Sequence, residues 1–324
     1  MDAVLEAIHT YPVKGCHRLD HDIAPVQPWG LAGDRRWMAV DADGVGTTQR
    51  TLPELVSLHA EPQPGGLLLR APGRPVLVLR EPVGAAPVPV RVFPTRRPVP
   101  AHPAGPAADL WLSEALGRGV RLVWLGRPGR HLAPTDRPVD PGDRVSFADE
   151  YPLLLANRAS LAALNEWLRA DGSAEGPLPM TRFRPNLVIS GADPFAEEDW
   201  VGRRIRIGAV VFLAAGDCSR CVVTTVDQET GVRGREPLRT LARHHRRGQR
   251  LPFGVHLIPE PTIGDAGGSG EVGAGEAGAG EAGAGGEVIG GEVIGSVAVG
   301  DRVRPLPAEV DRPIGSGVHG LGVD

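Results

Sequence analysis

The residues best suited to do chemistry are Cys218-Ser219-Arg220-Cys221, a pair of thiols with two residues between them. Four readings of this CxxC compete. A thioredoxin-like redox pair needs a helix starting at the motif to lower the thiol pKa, whereas Val222 to Val226 is β-branched and reads as a strand. A structural zinc site needs four ligands, and only Cys16 and scattered histidines remain to supply them. The cysteines could be two inert core residues. The fourth reading is a thiolate ligand to a soft or high-valent metal, with Arg220 between the thiols to help hold an anion.

Cations recur at three other places. Arg182-Phe183-Arg184-Pro185-Asn186 sets two forked donors beside a fixed proline, and Gly33-Asp34-Arg35-Arg36-Trp37 carries another arginine pair. Each segment alone reads as well as a solvated basic turn. Lys14 is the only lysine of the chain, in a composition where nearly every other base is arginine. Together Lys14, Arg35, Arg184 and Arg220 are four cations able to converge on one polyanionic ligand, if the fold brings them together.

The elements that must do so are mostly short strands. Val4 to Val13, Trp37 to Asp41, Leu67 to Arg70, Val76 to Leu79 and Val88 to Val92 are apolar runs separated by Gly and Pro, a spacing that suggests a small barrel or sandwich. The prolines from Pro94 to Pro106 predict irregular chain. Ala107 to Leu116 reads as a helix stopped by Gly117, and Val120 to Leu125 as a strand. Residues 127–146 read as a loop. Ser160 to Ala170 is the clearest helix, with Leu161, Leu164, Trp167 and Leu168 on one face. Asn186 to Ser190, Arg204 to Ile207, Val210 to Ala214 and Gly254 to Ile258 follow as strands, Pro237 to His245 as a short basic helix, and Val297 to Val303 as a last strand.

The chain has 324 residues, 41% of them hydrophobic, and a formal charge of −4, which gives no general reason to expect a nucleic-acid partner. No apolar run has the length of a membrane span, and the N-terminus lacks the basic and apolar regions of a secretory signal. Three cysteines suit a reducing cytoplasm, the expected compartment. The glycine excess is concentrated in residues 263–295, where near-tandem GEAGAG units hold glutamates but no aromatic, lysine or arginine. Such a segment buries too little to offset its ordering entropy. It reads as a flexible acidic loop between two neighbouring strands, able at most to steer a basic partner at low salt. Deleting about residues 265–291 is expected to shift the thermal midpoint by no more than a few degrees, because halving a flexible loop changes its closure entropy by only about 0.6 kcal/mol. A loss of many degrees in a thermal melt would show that the segment packs.

Four motifs, YPVKGC, GDRRW, RFRPNLVISG and CSRCVVTTVDQETG, occur in this order and at similar spacing in the MOSC proteins. The chain resembles that family, in particular the mitochondrial amidoxime reducing components and the bacterial YcbX type, over about residues 1–260 and again at 296–305. The resemblance implies an α+β, β-rich fold: an N-terminal β-barrel-like domain over 1–120, a MOSC β-barrel domain over 121–305 with a few short helices, and a tail at 306–324. It also implies a molybdenum cofactor in the cleft between the domains. Carried over position by position, Cys221 matches the molybdenum ligand and the catalytic residue. Ser219 and Arg220 match contacts to the pterin or its phosphate, Lys14 a phosphate contact, Arg35 another cofactor contact, and Arg184 and Asn186 the pair of the RxN segment.

The sequence also departs from its relatives. Gly15 stands where eukaryotic members have a serine. No cysteine follows Cys221, so the [2Fe–2S] cluster of a YcbX-type ferredoxin domain is not expected, and electrons must come from an external donor. The resemblance leaves no room for a pyridoxal-phosphate domain. The implied activity is reduction of small N-hydroxylated substrates. A cofactor carrier without turnover, or a sulfur carrier with a persulfide on Cys221, is the alternative.

Overall fold

A computed structural model describes residues 3–132, 143–261 and 292–307. Most of residues 263–295 therefore lies outside the described residues, as does most of the expected 306–324 tail. The larger sheet closes on itself. Its staves, taken around the ring, are Ala3–Thr10, Arg302–Pro305, Arg204–Ile207, Val210–Ser219, Pro252–Glu260, Leu153–Asn157 and Leu187–Ser190, the last pairing back onto the first. Seven is an odd number, so the ring cannot close with every neighbour antiparallel. The one parallel seam joins Leu153–Asn157 to Leu187–Ser190. A parallel pair needs a crossover, and a helix, Arg158–Ala170, lies in that connection, capped by the Asn157 side chain on Ala159 N. Alternate residues such as Leu5, Ile205, Phe212, Val255 and Leu257 fill the barrel interior, each contributing about 1.5–3 kcal/mol by leaving water.

The second β-rich body contains one sheet built from Trp37–Val40, Arg121–Trp124, Val99–Pro103 and Val88–Val90, and another from His59–Gln63, Gly66–Arg70 and Leu77–Arg80. A helix, Pro106–Leu116, closes its core through Ala108, Leu112 and Leu116. The two bodies exchange chain. The first strand, Ala3–Thr10, is a stave of the large barrel, while Arg121–Trp124 belongs to the N-terminal sheet. The sheets thus interleave across residue 120. Among the described residues no helix is long and apolar enough to cross a membrane.

Several local expectations change. The first strand ends at Thr10 rather than Val13 because Tyr11 N donates to the Asp34 carboxylate at 2.7 Å instead of to a neighbouring strand. A strand runs through the proline-rich stretch at Val99–Pro103. It is tolerated because it changes partner midway, and Pro100 faces Pro89, so neither is asked for an N–H. Val222–Thr225 is a 3₁₀ turn and not a strand. The hydroxyls of Thr224 and Thr225 donate back to the carbonyls of Cys221 and Val222, both at 2.8 Å, and local bonding overrides β-branched propensity. The final strand is two, Gly295–Ala298 and Arg302–Pro305, separated by a turn. Neither pairs with Pro252–Glu260: one pairs with Ile23–Gln27, the other with Arg204–Ile207 and the first strand. The connection carrying the acidic tract therefore links strands that are not neighbours.

Candidate functional site

One end of the parallel seam opens into a cavity of about 290 Å³. Chain from both bodies forms its wall. Lys14, Arg35 and Arg50 come from the N-terminal part, and Arg184, Arg220 and Cys221 from the barrel. All seven residues singled out in the sequence, including Asn186 and Ser219, line this one space.

Asn186 organises it. The residue is fully buried. Its Oδ1 accepts from Leu154 N and Arg35 Nη1, each at 3.2 Å, and its Nδ2 donates to His9 O and to Asp34 Oδ2, each at 3.1 Å. With its polar atoms so committed, Asn186 fixes Arg35 and Asp34 and extends the parallel seam past the end of the strand. Asn186→Ala would leave those groups partly unsatisfied in the core. Since an orphaned buried group costs about 1–3 kcal/mol, we expect a destabilisation of about 3 kcal/mol, read as a lower urea midpoint at unchanged slope.

Two of the site arginines have left-handed backbone, Arg35 at φ 48° and Arg184 at φ 53°. For a residue with a Cβ this conformation costs about 1–3 kcal/mol and persists only where surroundings impose it. Tyr11 packs against both side chains. Both guanidinium groups lie over its buried ring, that of Arg35 4.7 Å and that of Arg184 4.1 Å from the ring centre, and its hydroxyl donates to Pro185 O at 3.0 Å. Burial pushes the Tyr11 hydroxyl pKa up to about 12. Burial likewise lowers Arg184 to about 10, so it stays a cation at neutral pH. Arg184 Nη1 donates to Gln228 Oε1 at 2.7 Å, and Gln228 in turn pairs through its amide with Gln49 of the other body.

Lys14 is 4% exposed. Its Nζ donates to Phe147 O at 2.7 Å and to the Asp149 carboxylate. Burial pulls its pKa down to about 8, against the opposing pull of Asp149. Burial works to raise the Asp149 pKa, but Lys14, Arg50 and Arg35 more than offset it and hold the carboxyl ionised well below its usual range. Sequence reasoning passed over Asp149 and Arg50. Neither sits in a basic cluster, and only the fold carries them to the motif.

Arg50 joins the two halves of the site. Its Nη2 lies 3.3 Å from Cys221 Sγ and 3.4 Å from Asp149 Oδ2, with the guanidinium over the Phe93 ring at 4.9 Å. Cys221 is partly exposed, whereas Cys218 is buried. Burial raises the Cys218 thiol, and Arg220 Nη1 donates to its sulfur at 2.7 Å while Nη2 donates to Phe183 O at 2.7 Å. Ser219 is exposed at the mouth and accepts from Leu251 N. His256 also lines the cavity, stacked on Tyr151 at 4.6 Å, and burial lowers its pKa to about 4, so it is neutral at pH 7.

Three guanidinium nitrogens on residues lining the cavity, Arg50 Nη1, Arg184 Nη2 and Arg220 Nε, are buried without an acceptor among the described residues. Such donors rarely stay unpaired, and their number and charge fit a large polyanion. Of the two thiols lining the cavity, Cys221 is the partly exposed one and Cys218 is buried. No group of three or more His, Cys, Asp or Glu side chains able to hold a metal ion occurs among the described residues. A metal held here by Cys221 would need its remaining ligands from the polyanion itself, as in a metal carried by a pterin dithiolene.

The family model of the MOSC domain matches residues 142–304, and that of the MOSC N-terminal beta barrel domain matches residues 2–119. Molybdenum cofactor sulfurase of Oryza sativa subsp. japonica is 33% identical over 277 residues, which is 81% of this chain and 33% of that protein. Mitochondrial amidoxime reducing component 2 of Homo sapiens is 34% identical over 244 residues, 71% of this chain and 69% of that protein. Component 1 of Homo sapiens is 34% identical over 248 residues, 71% and 68% respectively. The chain spans about a third of the length of the sulfurases it matches. On both domain matches and on the identity to the amidoxime reducing components, the chain belongs to the MOSC family.

Proposed function

We propose that the protein is a molybdenum-cofactor-dependent reductase of small N-hydroxylated compounds, supplied with electrons by an external donor. The observation that carries the reading is the pairing, in one cavity, of a partly exposed thiol with three acceptor-less buried guanidinium nitrogens. The reaction breaks the substrate N–O bond, takes up two electrons and two protons, and releases water. The molybdenum cofactor, when bound, supplies the two-electron, oxygen-accepting chemistry. Cys221 would be its thiolate ligand, and Lys14, Arg35, Arg184, Arg220 and Ser219 would hold its pterin and phosphate. Arg50 places a positive charge beside the sulfur. Asp149, ionised between Lys14 and Arg50, orients those cations and is no proton donor at neutral pH. Glu150 is an exposed carboxyl lining the cavity, with its Oε2 4.0 Å from His256 Nε2.

The similarity to molybdenum cofactor sulfurases favours a second reading, a carrier of the cofactor or of sulfur without turnover. Two measurements separate them: molybdenum per purified chain, and reduction of an N-hydroxylated amidine with a viologen as reductant. Metal with turnover supports the reductase. Metal without turnover supports the carrier, and labile sulfur without metal supports the sulfur carrier.

A further inference from the structure

The segment from Arg235 to Arg250 is unlike the rest of the chain. Its sixteen residues carry six arginines and one acid, a formal charge of +5 in a protein of −4 overall. The acid, Glu236, is buried. A short helix, Leu238–His244, buries Thr240 and Leu241 and leaves its arginines outside. A tight turn follows, closed by reciprocal backbone bonds between Arg247 and Arg250. Part of the charge is used within the fold: Asp171 pairs with Arg243, Glu198 with Arg247, and Asp217 with Arg250. Glu175 spends its carboxylate on the backbone N–H groups of Arg235 and Glu236. Arg235, Arg239 and Arg246 are exposed and have no ion-pair partner among the described residues.

This surface is fastened to the cavity mouth. Arg250 Nη2 donates to Asp217 O at 2.9 Å, Leu251 N to Ser219 Oγ at 3.3 Å, and Arg220 N to Leu251 O at 2.8 Å. The cations therefore border the stretch that carries the CxxC, next to the exposed Ser219. We infer that the Arg235–Arg250 surface is the docking site of the electron donor, and that the donor is a small acidic electron-transfer protein. The inference rests on the reductase reading, which requires such a donor. Its sign follows from charge complementarity. Outside this stretch the described residues carry equal numbers of Lys+Arg and Asp+Glu, 27 of each, so the positive excess is concentrated here, and the patch would both attract an acidic carrier and orient it toward the cavity. The acidic tract near residue 280 alone suggests a basic partner, but the charge that borders the cavity is of the opposite kind.

The test uses the full-length, metal-loaded protein and a plant-type [2Fe–2S] ferredoxin, a small acidic carrier, as probe. Binding is measured by titration, and turnover separately with reduced ferredoxin and with a viologen. The expected result is ferredoxin binding at 50 mM salt that weakens about tenfold or more by 300 mM, and by a similar factor in the triple variant Arg235→Glu, Arg239→Glu, Arg246→Glu. The triple Gln variant should fall between, and viologen-driven turnover should be unchanged in both. Equal binding by wild type and both variants, or no binding by wild type at 50 mM salt, overturns the inference. So does a single-stranded oligonucleotide that binds the patch more tightly than ferredoxin does. Absence of viologen-driven turnover alongside charge-dependent ferredoxin binding would instead refute the reductase reading and leave the docking surface standing.

Discussion

Cys221→Ser is expected to abolish turnover and to reduce or remove bound molybdenum, whereas Cys218→Ser should keep metal and a substantial fraction of activity. The two thiols are three positions apart, and their surroundings differ in kind. Cys221 opens on the cavity with Arg50 Nη2 3.3 Å from its sulfur, and a hydroxyl there is a harder, poorer ligand than a thiolate. Cys218 is buried, its thiol pKa raised by burial, and its sulfur occupied by Arg220 at 2.7 Å. A serine at 218 can still accept from Arg220, so the guanidinium keeps its orientation. The variants are compared by metal analysis and by turnover with a viologen, which removes the donor from the comparison. Similar loss in both, or greater loss at Cys218, would show that the ligand is misassigned.

Part of the site is legible in the residues alone. The CxxC, the lone lysine and the RxN segment stand out by type, and their order along the chain is that of a family. Periodicity found the helices, Arg158–Ala170 among them, because a 3.6-residue apolar stripe is a local signal. What stayed hidden depends on contacts between distant parts of the chain. Nothing local says that Ala3–Thr10 serves as a stave of the barrel formed mainly by the other half. The β-branched run after Cys221 pointed to a strand, and hydroxyl bonds too short in range for a periodicity argument made it a 3₁₀ turn. The turn does begin at Cys221, which removes the stated objection to a redox pair, but four residues form no helix of useful dipole. The greater weight against that pair is geometric, since the Cys218 sulfur is held by Arg220. The family resemblance places Asn186 among the cofactor contacts. Its four internal hydrogen bonds make it a positioning residue first. Arg50 and Asp149 lacked any distinguishing neighbour and could be recognised only when folding set them beside Lys14 and Cys221.

Lys14→Arg should lower cofactor retention by tenfold or more although the charge is kept, and wild type should show a pH dependence that the variant lacks. The Lys14 ammonium spends two of its three N–H donors on Phe147 O and Asp149, leaving one for the cavity. A guanidinium is wider and donates in one plane, and the site is too closed to accommodate it, since Lys14 is 4% exposed. The pH argument has a definite sign. Burial puts the folded-state pKa near 8 against an ordinary 10.5, so the free protein loses this charge as pH rises through 8. Binding of a phosphate dianion, whose own second ionisation lies near pH 6, should then weaken by up to about tenfold per pH unit above 8. Arginine keeps its proton over this range, so the slope should vanish in Lys14→Arg while overall affinity is lower. Unfolding cannot mimic the effect. Between pH 8 and 10.5 the unfolded chain holds the Lys14 proton more tightly than the folded one, so this group contributes increasing stability as pH rises. The measurement is molybdenum retained per chain after gel filtration at pH 7.0, 8.0 and 9.0, with a thermal melt at each pH. Equal retention by wild type and Lys14→Arg, or a wild-type profile flat from 7 to 9, would leave the single lysine without a role in holding the cofactor.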